Sequence, residues 1–196
     1  MCGLGSLARE LSEMVSYRQS CRVQLVARQE GAIVGRLEDF QFDLGTYQIF
    51  GYRVKGAGLF SRAGGLRASL LEKVGSDVAF VARADLVEWI GGARNNEMGR
   101  AWASQYRGMR VMSRTGASVG SVTDLLFDPD RGEVLGLLLD GDRMVELGQG
   151  VALGEAAVIL SGPEKIQGIP TGLVEREGDW SRWIRERYRA YSHAEE

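Results

Sequence analysis

The sequence predicts a mainly β chain: two tandem copies of one small antiparallel β-barrel, with short flanking helices at the N- and C-terminal ends. Two observations predict it. Residues 31–56 and 116–141 align at a shift of 85, sharing Gly31/Gly116, Ala32/Ala117, Val34/Val119, Gly35/Gly120, Asp39/Asp124, Phe42/Phe127, Asp43/Asp128, Gly51/Gly136 and Gly56/Gly141. That makes nine identities in 26 positions, where unrelated segments of ordinary composition would share about one or two. Both copies also read as turn, strand, turn, strand, with side chains alternating between apolar and polar as in half-buried β-strands.

From the N-terminus, Leu4, Leu7, Leu11, Met14 and Val15 fall at helical spacing with Arg9, Glu10 and Glu13 between them. This predicts an amphipathic helix over residues 4–17, inside an N-terminal segment 1–20, whose ordinary role is to pack on a barrel and whose functional alternative is to dock on a partner. The first barrel is assigned residues 21–91. Its first strand is read at residues 23–27, and Val111 stands at the matching place in the second copy. Gly-x-x-Val-Gly then marks a turn feeding a strand in each copy. Asp43-Leu-Gly-Thr and Asp128-Pro-Asp-Arg-Gly-Glu supply the next turns: the Asp side chains bond nearby backbone, Pro129 presets φ and Gly132 accepts φ > 0.

The second strands, residues 49–54 and 134–139, each hold an internal glycine, as at a bend or a close backbone approach. Alternation places Phe50, Tyr52 and Val54 inside with Leu135, Leu137 and Leu139, and puts Ile49, Gly51 and Arg53 outside opposite Val134, Gly136 and Leu138. Leu138 thus replaces a charge on an outer face and calls for cover by the neighbouring barrel, the C-terminal helix or another protein. Cover from within the chain is the ordinary solution. Further on, the alignment shift falls from 85 to 79, so the first copy carries about six extra residues near the Gly-rich stretch 55–66. With no Gly-x-x-x-x-Gly-Lys-Ser/Thr, this stretch reads as a hairpin loop and not as a phosphate cradle. Leu59 and Phe60 at its tip are candidate partner contacts.

Residues 85–91 read as a short helical turn capped by Asp85 and stopped by Gly91 and Gly92. Residues 92–106 are assigned as linker, with Trp102 and Tyr106 on a helical turn leading into the second barrel, residues 107–162. In the extension 163–196, Pro170 and Gly172 exclude a helix over 166–173. Residues 179–191 then read as a helix with Trp180, Trp183, Ile184, Arg187, Tyr188 and Tyr191 on one side. Between 179 and 193 there are four Arg against two acids.

The pattern Gly-x-x-Val-Gly-x-(Val/Leu)-x-Asp-hydrophobic-x-Phe-Asp, a turn, a hydrophobic strand and a later strand (Gly75 to Val81, Gly154 to Leu160) resembles the PRC-barrel family, over about residues 22–88 and 107–162. The resemblance implies a small, mostly antiparallel barrel without a conserved active site. Related barrels occur in the cytoplasmic part of the photosynthetic reaction-centre H subunit and in the C-terminal half of a ribosome maturation factor, where they act as protein-docking modules. This chain differs from the first in lacking a membrane helix, and from the second in having another barrel where that factor has a different N-terminal domain.

Composition bounds the rest. A net charge of −2 over 196 residues gives no whole-molecule attraction to nucleic acid or anionic lipid. Two cysteines, Cys2 and Cys21, make no disulfide framework and, without a nearby histidine, no zinc site. No apolar run approaches the roughly 18 residues of a membrane span, and there is no signal-peptide pattern, so a cytoplasmic or plastid-stromal protein is expected, compatible with a place at the periphery of a membrane complex. The sole histidine, His193, offers no Ser-His or Cys-His pair. Asp39, Asp43, Asp124, Asp128 and Asp130 read as turn-bonding residues and not as a metal or carboxylate site.

The expectation is therefore no catalysis and no cofactor. The chain reads as a protein-binding adaptor, an assembly or regulatory subunit of a larger complex, photosynthetic by family analogy. Its candidate contacts are Leu59, Phe60, Leu138, Trp180, Trp183, Arg187 and Tyr188. The alternative is an RNA- or ribosome-associated maturation factor. It would bind through the Arg-rich C-terminal helix, with an affinity that falls steeply with salt and on loss of Arg182, Arg185 and Arg189.

Overall fold

The two glycines of the repeated Gly-x-x-Val-Gly do different physical work. In the computed structural model, which describes residues 15–21, 23–57, 62–75, 77–89, 99–141, 143–162 and 166–168, Gly31 and Gly116 sit at φ 63° and 83°, where a side chain is strained. Gly35 is needed for space: a Cβ there would lie 2.2 Å from the Lys55 carbonyl oxygen. Gly35→Ala is therefore expected to cost roughly 1–3 kcal/mol by forcing two strands apart. A urea melt of this variant against Gly31→Ala, which meets open space and bears only the backbone strain of about 1 kcal/mol, separates the two effects.

The elements run in the same order twice. The first half holds β1 (Val15–Ser16), α1 (Tyr17–Ser20), β2 (Gln24–Ala27), β3 (Ala32–Asp43), β4 (Ile49–Gly56), β5 (Ala63–Arg67), β6 (Leu71–Val74), β7 (Val78–Val81) and β8 (Glu88–Trp89). The second holds β9 (Arg100–Trp102), α2 (Ala103–Tyr106), β10 (Arg110–Ser113), β11 (Ser118–Asp128), β12 (Glu133–Leu139), β13 (Arg143–Glu146), β14 (Val151–Leu153), β15 (Ala157–Leu160) and β16 (Ile166–Gly168). The protein is mainly β, its strands forming two curled half-barrels.

Strand orders are β6-β7-β2-β3-β4-β5-β8 and β14-β15-β10-β11-β12-β13-β16, element for element the same. Pairing is antiparallel except where β2 meets β7 and β10 meets β15. Long β3 and β11 form the spine of each sheet because their apolar runs are buried on the inner face: Leu37, Phe40 and Phe42 in one, Val122, Leu125 and Phe127 in the other.

Bulges recur at equivalent places. The ladder skips Glu38 and Phe50 between β3 and β4, and Thr123 and Leu135 between β11 and β12. Each bulge inserts one residue and inverts the alternation beyond it. This corrects the face expected for Phe50, which is 46% exposed while Ile49 is buried. The Arg100 guanidinium stacks 3.4 Å above the Phe50 ring, shielding part of it.

Other expectations on the flanks change as well. The helix expected over 4–17 lies mostly outside the described residues, and Val15 at its end belongs to a strand. Ser16 stays extended as N-cap of α1, its Oγ accepting from the Gln19 N–H while the Gln19 side chain accepts from the Ser16 N–H, a complete capping box. The turn near Asp85 is a 3₁₀ turn over Ala84–Leu86 with Arg83, not Asp85, at the N-cap, and it runs directly into β8. Within the stretch read as linker, Arg100–Trp102 form β9 of the first sheet and Ala103–Tyr106 the helical turn α2.

Candidate docking surface and the junction that positions it

The leading elements of the two halves are exchanged. β1, at the start of the first half, pairs with β11 of the second through Val15↔Phe127 and Ser16↔Leu126. β9, at the start of the second half, pairs with β3 of the first through Gln41↔Trp102, Phe42↔Ala101 and Asp43↔Arg100. Each short helix that follows presents its free N–H groups to a buried carboxylate on the other half's spine. Asp39 accepts from the Ser104 N–H at 3.2 Å, the Ser104 hydroxyl at 2.6 Å and the Phe40 N–H at 2.9 Å. Asp124 accepts from the Arg18 N–H at 3.3 Å and the Leu125 N–H at 3.0 Å.

These two aspartates, 85 apart, stand within strands at 3% and 8% exposure, which corrects the expectation that they serve turns. Burial raises both carboxyl pKa values above the ordinary range, and the N–H and O–H donors pull them only partly back. The sequence carried a signal for this role: an aspartate in the middle of an apolar strand, repeated at the same register, cannot belong to a turn. Asp43 and Asp128 do serve turns. Asp43 accepts from the Gly45 and Thr46 N–H groups and Asp128 from those of Asp130 and Arg131, and these bonds hold the Asp43 carboxyl below its usual range.

A third contact closes the junction where the two turns meet. The Ile49 N–H donates to Gly132 O at 2.6 Å and the Val134 N–H to Tyr47 O at 2.9 Å. Tyr47 adopts φ 60°, matching φ 62° at its counterpart Gly132. Such strain at a non-glycine residue persists only where the surroundings enforce it. Beneath these contacts the rings of Phe40 and Phe127 lie 4.9 Å apart, and Phe40 also meets Tyr17, Phe42 and Tyr52. The apolar side chains of both sheets join in one cluster. Burial pushes the Tyr106 phenol up to about 12 and the Cys21 thiol up to about 11, so both stay neutral as part of the packed junction.

With the sheets fixed, their outer faces differ. On the first, the register lines up Lys73, Phe80, Val26 and Ile33 across β6, β7, β2 and β3, with a parallel row of Val78, Gln24, Arg36 and Lys55 beside it. Ile33 is 56% and Phe80 37% exposed. On the second sheet the same positions hold Ala152, Ile159, Met112 and Ser118, then Ala157, Arg110, Ser121 and Asp140. Asp140 there is held by Arg143 at 2.7 Å.

Of the residues the sequence singled out, Leu138 lies on β12 opposite Asp124 and is buried, 6% exposed, offering no open surface. Its counterpart Arg53 approaches Asp39 at 4.0 Å and stacks 4.1 Å from the Trp102 ring. Leu59, Phe60, Trp180, Trp183, Arg187 and Tyr188 lie outside the described residues. Ile33, Phe80, Arg36 and Lys55 were missed. Their strands look unremarkable one at a time, and only the register brings them onto one face.

Residues 98–180 match the family model of the PRC-barrel domain. The chain carries a PRC-barrel domain. The match extends beyond 107–162 on both sides and takes in β9 and α2, so the leading strand and helix that cross to the other sheet are part of the PRC-barrel unit. Among the described residues, the first half repeats the strands of that unit in the same order. No curated protein matches the chain. Among the described residues no cluster of His, Cys, Asp or Glu is arranged to hold a metal ion, and no helix is long and apolar enough to cross a membrane.

Proposed function

We propose that the chain is a non-catalytic adaptor, an assembly or regulatory subunit that offers a rigid double-sheet surface to another protein of a larger complex. The observation that carries this is the reciprocal junction. Two sheets locked by exchanged strands, helix N–H groups on buried carboxylates and a shared aromatic cluster hold their outer faces in fixed relation. A preorganised surface loses little entropy on binding. PRC-barrel domains are generally protein-interaction modules, which supports the same conclusion, and by the family analogy a photosynthetic membrane complex is the first partner to examine.

The test is a pull-down under native conditions with the full chain as bait in lysate of its own cells, followed by quantitative mass spectrometry. The expected result is one protein or one defined set recovered in stoichiometric amount and retained as salt is raised. Recovery of RNA that falls away steeply with salt and with loss of Arg182, Arg185 and Arg189 would instead establish the nucleic-acid alternative. Recovery of no stoichiometric partner would overturn the adaptor assignment.

A further inference from the structure

We infer that the outer face of the first sheet docks an acidic amphipathic helix, seated on Ile33, Val26 and Phe80 and flanked by Arg36 and Lys55; this rests on the adaptor reading above. The three apolar residues span neighbouring strands, a row about 10 Å long at the usual strand spacing, which matches about two turns of the apolar stripe of one helix at about 5.4 Å per turn. Such a helix would lie across the strands along this row. The row of Arg36 and Lys55 runs parallel to it, two residues along β2 and β7, three along β3 where a bulge adds Val34, and about 7 Å away. Carboxylates on one flank of the docked helix would therefore face both cations. Neither row contains an acid, and nearby Glu72 is already paired with Arg28 at 3.1 Å.

Charge complementarity thus selects an acidic partner and sets its register. It also selects against this chain's own residues 179–193, which carry four Arg against two acids. A lipid surface fits less well. Ile33 and Phe80 belong to β3 and β7 and not to a loop tip, so they cannot reach the 5–10 Å into a bilayer that interfacial binding uses. The second sheet offers no equivalent site. Ser118 replaces Ile33 there, and Ser121 and Asp140 replace the two cations.

The test is an NMR titration of the isotope-labelled full chain with a synthetic helical peptide bearing Leu and Phe on one side and Glu on one flank. A Lys-for-Glu counterpart and vesicles of neutral lipid mixed with anionic lipid serve as the other two probes. The expected result is binding of the acidic peptide alone, with amide shifts confined to β2, β3, β7 and the Lys55 end of β4. Affinity should fall at least tenfold in Arg36→Glu/Lys55→Glu and in Ile33→Asp, each checked for unchanged melting, and stay unchanged in Arg110→Glu on the second sheet. Binding of neither peptide, or binding indifferent to these substitutions, overturns the inference. Vesicle binding abolished by the same substitutions overturns it in favour of lipid. Repeating the pull-down with Arg36→Glu/Lys55→Glu separates the two proposals: a partner still retained removes this surface and leaves the adaptor function, whereas absence of any partner on the unaltered chain removes the adaptor function.

Discussion

Asp39→Ala is expected to lower the stability of the whole chain by about 3 kcal/mol, because it leaves buried donors without an acceptor and Arg53 without its carboxylate. The orphaned donors would be the Ser104 N–H and hydroxyl and the Phe40 N–H. Since Ser104 lies in the first turn of α2, which ties the second half to the first, the loss should appear as a loosened junction and not as a local defect. Asp39→Asn keeps one acceptor oxygen and is expected to cost less.

The pH dependence of this pair has a definite sign. Burial raises the Asp39 carboxyl pKa in the folded chain above its unfolded value, so the folded state holds the proton more tightly. The group then contributes most to stability below its ordinary carboxylate range, and that contribution is lost as pH rises through the raised folded value. The stability difference between the unaltered chain and Asp39→Asn should accordingly fall as pH is raised from the ordinary carboxylate range toward neutrality, in chemical denaturation at a series of pH values. A difference that grows over the same interval would show that hydrogen bonding to the carboxylate outweighs its desolvation.

Phe40→Ala is expected to cost about 4 kcal/mol, the middle of the range for a fully buried aromatic side chain. Phe40 is 1% exposed and contacts rings from both halves, Tyr52 in the first sheet and Phe127 in the second. The cavity would therefore open at the seam, where neither sheet can collapse into it without shifting against the other. The signature is a loss of stability reported equally by probes in both sheets. A variant that destabilised only the first sheet would mean that the seam contributes little.

Much of this was legible in the sequence because backbone sterics repeat when a fold repeats. Gly31 and Gly116 announced a turn, Gly51 and Gly136 a close strand approach, where a Cβ would lie 3.0 and 2.9 Å from the Leu66 and Val145 carbonyl oxygens, and Asp43 and Asp128 announced their turns, since each feature depends on residues within one hairpin. Phe50 was misplaced because a bulge shifts alternation without a signature of its own in the strand. Asp39 and Asp124 were misread because their partners lie far off in the chain: Ser104 is 65 residues from Asp39 and Arg18 is 106 from Asp124. The docking face was hidden for the same reason. It exists only after β6, β7, β2 and β3 are placed side by side.

Native-state hydrogen exchange of the full chain, resolved to the amides of β3 and β4 against β11 and β12, tests directly whether the two halves are one unit. If the exchanged strands and the shared aromatic cluster bind them together, the slowest amides of both sheets open with the same free energy, and Asp39→Ala lowers both by the same amount. Slowest amides that open at different free energies in the two sheets, with Asp39→Ala lowering only the first, would contradict the junction on which the proposed adaptor rests.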